Sequence, residues 1–280
     1  TILVTLFYQS CFKISKGEDM EHSIKIENSS YSDNEILWLI KNIGNKYPDI
    51  RDSLVYNILT TGITEEKFTT TQFYTIVQST ITNNLILFNI AEKLPSTLTR
   101  SFSALLNGNI IFADGNTKSK YYNLLSGEEK KYFFSSSITY LYSEHDYTGY
   151  SKKYGWVHSI AHGADFLSQA LCHNLFPNES TEIILNSLEH IFTNMSSPFI
   201  DEEEKRIGNM IYQGITNGKI ELNTLNNWIS NTSFPLNNNS DFYRKTSFNN
   251  FLSYLYFKLK NIDLVYTYRR KNECNLTQFI

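Results

Sequence analysis

Apolar residues at helical spacing, interrupted at nearly even intervals, most constrain what this chain can fold into. In the second half, amphipathic helices are predicted at about 179–194, 201–217, 221–230 and 241–260. Their starts fall roughly 20 residues apart, so paired helices would recur about every 40, the spacing of helical-hairpin repeats. The repeats share no sequence signature, which leaves a curved helical bundle as the other arrangement. The expected fold class is therefore all-α: HEAT- or armadillo-like hairpin repeats forming a solenoid, or such a bundle.

Local signals in the first half agree. Ser32 with Glu35, and Ser126 with Glu129, have the capping-box spacing that opens a helix. Further helices are predicted near Leu98–Ile111, from Ser126 through about Tyr142, and from about Tyr154 to Cys172. Pro48 and Pro95 mark boundaries, and Tyr121–Leu125 suits a short helix. No glycine-rich loop follows a strand, so neither a P-loop nor a dinucleotide fingerprint is present. The organisation expected is an extension over 1–31, one helical domain over 32–260 and a tail over 261–280.

Composition narrows the function classes. The 280 residues carry a formal net charge of -3, and the densest basic run, Arg269-Arg270-Lys271, lies in the tail. No basic stripe argues for a nucleic-acid partner. Cys11, Cys172 and Cys274 are far apart and form no metal or disulfide motif, which fits a reduced, cytoplasmic protein. The apolar run Thr1–Phe12 is too short to span a membrane, and Met20 would serve as an alternative start.

The segment Trp156-Val157-His158-Ser159-Ile160-Ala161-His162-Gly163-Ala164-Asp165 carries the chemistry. On a continuous helix, His158, His162 and Asp165 share one face, with Trp156, Ile160, Gly163 and Leu167 toward another. Gly163 inside a helix costs about 1 kcal/mol against alanine, which points to close packing or ligand access. Two neutral imidazoles and a carboxylate are three ligands for a divalent metal such as zinc. Ser159 stands where a His-Glu-x-x-His hydrolase carries its base. Arg100 needs a partner in its apolar helix: a ligand anion, Asp165 or another acidic side chain. Glu203 and Arg206 follow in an acidic run that also suits a helix N-terminus. Asn250 and Tyr254 would present one polar edge of the last helix.

Three stretches resemble a bacterial family, domain-of-unknown-function family 2785 (DUF2785). They are Gly155–Asp165, Thr99-Arg100-Ser101-Phe102-Ser103, and Asn250-Phe251-Leu252 with Leu255-Tyr256-Phe257; the resemblance covers about 33–260. It implies a helical, cytoplasmic protein and brings no activity with it. Two departures stand out. The family's compact Asp-Glu-x-Arg is altered here to Glu202-Glu203-Glu204-Lys205-Arg206, and Ser253 replaces an arginine.

The residues leave three readings open. The first is a binding protein with a polar-aromatic pocket for a small molecule or peptide segment, formed by Arg100, Trp156, His158, His162, Asp165, Glu203, Arg206 and Asn250. The second is a metal-dependent hydrolase using His158, His162 and Asp165. The third is a scaffold in which the same residues form a buried polar ladder. Oligomeric state is not encoded in these patterns.

Overall fold

The computed structural model describes residues 30–260. The run Thr1–Phe12, Cys11, Met20, Cys274 and the basic run Arg269-Arg270-Lys271 lie outside the described residues.

The described chain is predominantly helical, with ten α-helices and one two-stranded ribbon. Helix α1 spans Asp33–Lys41, and a π-type turn over Asp49–Tyr56 runs directly into α2, Asn57–Thr64. Helices α3, Thr70–Thr82, α4, Ser96–Gly115, and α5, Gly127–Ser143, follow. Strands β1, Tyr150–Ser151, and β2, Gly155–Trp156, pair antiparallel. The remaining helices are α6, Ser159–Cys172, α7, Thr181–Asn194, α8, Glu203–Thr216, α9, Leu222–Asn231, and α10, Asn239–Lys260.

Both predicted capping boxes form, at Ser32 and at Ser126. A third, Thr69 with Gln72, opens α3. Two expectations fail. Tyr121–Leu125 is turn, with Tyr121 held by its hydroxyl bond to the Phe68 carbonyl (2.6 Å). The helix expected from Tyr154 begins only at Ser159, because the preceding residues form the β ribbon.

Side-chain contacts give the direction of packing. Ser101 meets His162, Gly108 faces Phe166, and Gly115 faces His173, so α4 and α6 run parallel. Asp165 meets Arg206 and Cys172 meets Gln213, so α6 and α8 run parallel. Glu204 meets Asn250, Gly208 meets Tyr254 and Tyr212 meets Lys258, so α10 continues the row. On the other side, Phe134 contacts Phe176 and Tyr142 contacts His190, which makes α5 and α7 parallel as well. A hydrophobic cluster reaching from Tyr31 to Leu259 fills the space between these helices. The N-terminal ends of α4, α6 and α8 therefore share one rim, fed by the segments 144–158 and 195–202.

Candidate functional site at the rim of α6 and α8

Two buried arginines build the floor of this rim. Arg100 is fully buried and forms a two-bond ion pair with Glu144, at 2.8 and 2.9 Å. Its remaining N–H groups donate to the carbonyls of Phe88, Asn89 and Glu92. Every donor is spent inside the protein, so Arg100 is a brace and not a ligand contact. Its partner is Glu144, neither an external anion nor Asp165. Next to it, Asp146 accepts from Thr97, Thr148 and the Leu94 amide. Burial alone would raise the Asp146 pKa, but the hydrogen bonds together hold it below the usual carboxylate value.

Arg51, which the sequence did not single out, anchors the ribbon. It is fully buried and donates to the carbonyls of Tyr154 (2.8 Å), Trp156 (2.9 Å) and Asn45 (3.0 Å). Its guanidinium lies 4.6 Å from the Phe102 ring centre, and Asp52 supplies the counter-charge at 2.7 Å. Gly155 sits at φ +70, with Pro48 so close that a side chain would collide. The ribbon is thereby pinned where β2 delivers Trp156.

The chain then turns sharply. The amides of Val157 and His158 both donate to the Gly149 carbonyl, at 2.8 and 2.9 Å. His158 adopts left-handed backbone angles, φ 47 and ψ 36, as the N-cap of α6. This cancels the predicted register: His158 is not one helical turn below His162 on a continuous helix. Its ring stacks flat on the Trp156 indole, with centroids 4.5 Å apart and planes 5° from parallel. Trp156, expected on another face, therefore belongs with His158. It is 46% exposed, and Tyr150, 52% exposed, meets its ring edge-on at 5.0 Å.

His162 has a defined tautomer. Ser101 Oγ donates its single hydrogen to the Val157 carbonyl, so it can only accept from His162 Nδ1, 2.8 Å away. With the proton on Nδ1, Nε2 carries a lone pair. The side-chain contact to Ser101 is made by Nδ1, not by Nε2. Burial drives the His162 pKa well below its ordinary value, and the charges of His158, Arg206 and Arg51 lower it further. The ring is thus a neutral acceptor, 5.4 Å from His158 between centroids and edge-on to Phe102.

The segment entering α8 closes the site. Glu202 is also left-handed, at φ 70, and turns the chain so that Glu203 points inward. Buried Glu203 accepts from the Asp201 amide (2.9 Å) with Oε2 and brings Oε1 to 4.0 Å from His158 Nδ1. A side chain at Gly149 would collide with both Asp201 and Glu203, so the glycine admits this approach. At this corner His158 Nδ1 and Asp201 Oδ2 are sealed and have no hydrogen-bond partner. Burial lowers the His158 pKa, against the opposing pull of Asp201. Burial also raises the Glu203 pKa.

The remaining predicted residues divide. Asp165 pairs with Arg206 rather than with a histidine, and burial raises its pKa against the pull of that arginine. Arg206 accordingly does not pair with Glu203. Asn250 reaches Glu204 at 3.4 Å, between α8 and α10, away from the histidines. Gly163 is explained by packing, since Tyr140 and Leu141 of α5 lie against it. The expected metal trio of His158, His162 and Asp165 does not assemble. His158 leaves the helix to stack on Trp156, and Arg206 occupies Asp165. Among the described residues, no three His, Cys, Asp or Glu side chains form a metal-holding group.

Tyr150, Ser101, Gly149 and Arg51 were not identified from sequence as parts of this site. Ser101 had a signal, its place one residue after Arg100; the others depend on the turn at Gly149, which has no local signature. No helix among the described residues is long and apolar enough to cross a membrane.

The family described as protein of unknown function, DUF2785, matches residues 86–257, from the segment before α4 to the last turn of α10. No curated protein and no solved structure matches the chain.

Proposed function

The chain belongs to the DUF2785 family, and we propose from its site that it is a helical-repeat binding protein. The parallel row α4, α6, α8, α10 and its antiparallel partners are read as a hairpin solenoid. The rim at Trp156, His158 and His162 is read as its binding site, for a small molecule or a peptide segment. The observation carrying this is His162: a nearly buried ring (8% exposed) whose Nδ1 is committed to Ser101 while Nε2 has no protein partner. An oriented acceptor without a protein partner is what an incoming donor would complete. The exposed indole beside it supplies apolar area at little entropic cost.

The test is a ligand-observed NMR screen of metabolites and short peptides. The same screen is run on a Trp156→Ala/His162→Asn variant whose unfolding midpoint is first measured. Ligands bound by the parent and lost by the folded variant are expected. Ligands retained equally by the variant would place binding elsewhere and reject this site.

A further inference from the structure

A second set of polar groups lies away from the rim, where α4 packs on α5, and stands apart from the binding site proposed above. Asn107 and Ser103, one helical turn apart on α4, are both fully buried. Among the described residues, Asn107 Oδ1, Asn107 Nδ2 and Ser103 Oγ have no hydrogen-bond partner. Buried amides and hydroxyls ordinarily bond to protein or to ordered water, because an unbonded one loses its hydration without compensation. A side-chain amide carries two donors and two acceptor lone pairs, so the demand concentrated at Asn107 is large.

Two ion pairs fix what Asn107 faces. Arg100 meets Glu144 at one end of the α4–α5 contact, and Asp114 meets Lys130 (3.3 Å) at the other. The two helices therefore run antiparallel. Asn107 stands two turns from Arg100 and two from Asp114, on the face that both share. Ser137 of α5 likewise stands two turns from Glu144 and two from Lys130. This register sets Asn107 level with Ser137, which is also fully buried. Ser137 Oγ gives its hydrogen to the Phe134 carbonyl (2.7 Å), which leaves its lone pairs as acceptors. Asn107 makes no bond to them. The long side chains of Arg100, Glu144 and Lys130 span the gap at the two ends, whereas an amide and two hydroxyls face it between them. α4 accordingly approaches α6 more closely than α5, with Gly108 in contact with Phe166. Level polar groups that are sealed from solvent and do not bond to each other are what a bridging water joins, and four such atoms supply its partners.

We propose that an internal water site lies between α4 and α5, where Asn107 and Ser103 face Ser137, and that ordered water there bridges the Asn107 amide to the two hydroxyls.

The test counts waters that tumble with the protein, by relaxation dispersion of ¹⁷O-labelled solvent. The folded double variant Asn107→Leu/Ser103→Ala, which removes the polar lining of α4, should hold about one such water fewer than the parent. Equal dispersion amplitudes for the two folded proteins would overturn the site. Should the double variant fail to fold, a high-resolution crystal structure of the parent decides the question without any substitution. Water within hydrogen-bonding distance of Asn107 Oδ1 or Nδ2 is the expected result. An Asn107 amide bonded directly to Ser137 or to backbone, with no water beside it, would overturn the proposal.

Discussion

Replacing Arg100 with methionine tests whether this residue is a brace or a ligand contact. The substitution removes a fully buried guanidinium and strands the Glu144 carboxylate, also fully buried, with only the amides of His145 (3.0 Å) and Asp146 (2.9 Å). It also strips N–H donors from the carbonyls of Phe88, Asn89 and Glu92. Breaking a buried pair from one side costs about 3–5 kcal/mol, because the surviving charge keeps its desolvation penalty. For a domain of this size that corresponds to a fall in Tm of about 6–20 °C. Glu144→Gln should cost a similar amount by leaving Arg100 charged and facing neutral acceptors. The double variant Arg100→Met/Glu144→Gln removes both charges, so its loss should fall short of the sum by about 1–3 kcal/mol. Urea unfolding of the four proteins gives the cycle, and ligand binding to each is measured under folded conditions. An Arg100→Met protein within about 1 kcal/mol of the parent, yet deaf to every ligand, would refute the reasoning and return Arg100 to the site.

Three further predictions concern α6 and its surroundings. Gly163→Ala should destabilise by about 1–3 kcal/mol, despite alanine's better helix propensity. Its Cβ would lie 2.6 Å from Tyr140 Cε1 and 2.7 Å from Leu141 Cδ2, and a raised unfolding midpoint would contradict this packing. Ser101→Ala removes the acceptor that orders His162, so the imidazole ¹⁵N shifts should move from the Nδ1–H form toward the other tautomer; unchanged shifts would refute the assignment. Stability should fall on acidification from about pH 6.5 toward 5. His158 and His162 both have depressed pKa values in the fold, so the unfolded chain takes up more protons there. Each contributes a slope of up to about 1.4 kcal/mol per pH unit. Asp52, Asp165 and Glu203 act oppositely: their raised values mean the fold gains protons first, which offsets the loss at the acid end. Denaturation midpoints that stay flat across the window in the parent, and in His162→Asn, would reject the histidine contribution.

Much of the helical organisation was legible because helix formation is local. The boxes at Ser32 and Ser126, the breaks at Pro48 and Pro95 and the regular apolar spacing of the second half all act within a turn or two of chain. The sequence also singled out the Trp156–Asp165 segment, which carries the two histidines and the exposed indole of the candidate site. What it could not supply was the conformation of that segment. Period-based reasoning assumes continuous helix, and nothing local announces that His158 turns left-handed. That turn is held by Gly149, which accepts two amides, and by Arg51, which reaches the carbonyls of Tyr154 and Trp156 across 103 and 105 residues.

The same distinction separates the fates of the charged residues. The sequence by itself determined that Arg100 must have a partner, that Gly163 must serve packing or access, and that the run 201–206 would open a helix. Only the tertiary structure decided that the partner is Glu144, that α5 is what packs on Gly163, and that Arg206 takes Asp165 while Glu203 turns toward His158. Need is a local property, fixed by the cost of burying a charge or exposing a backbone. Pairing is not, because several carboxylates could satisfy each arginine, and the parallel order of α4, α6 and α8 sets which one lies within reach.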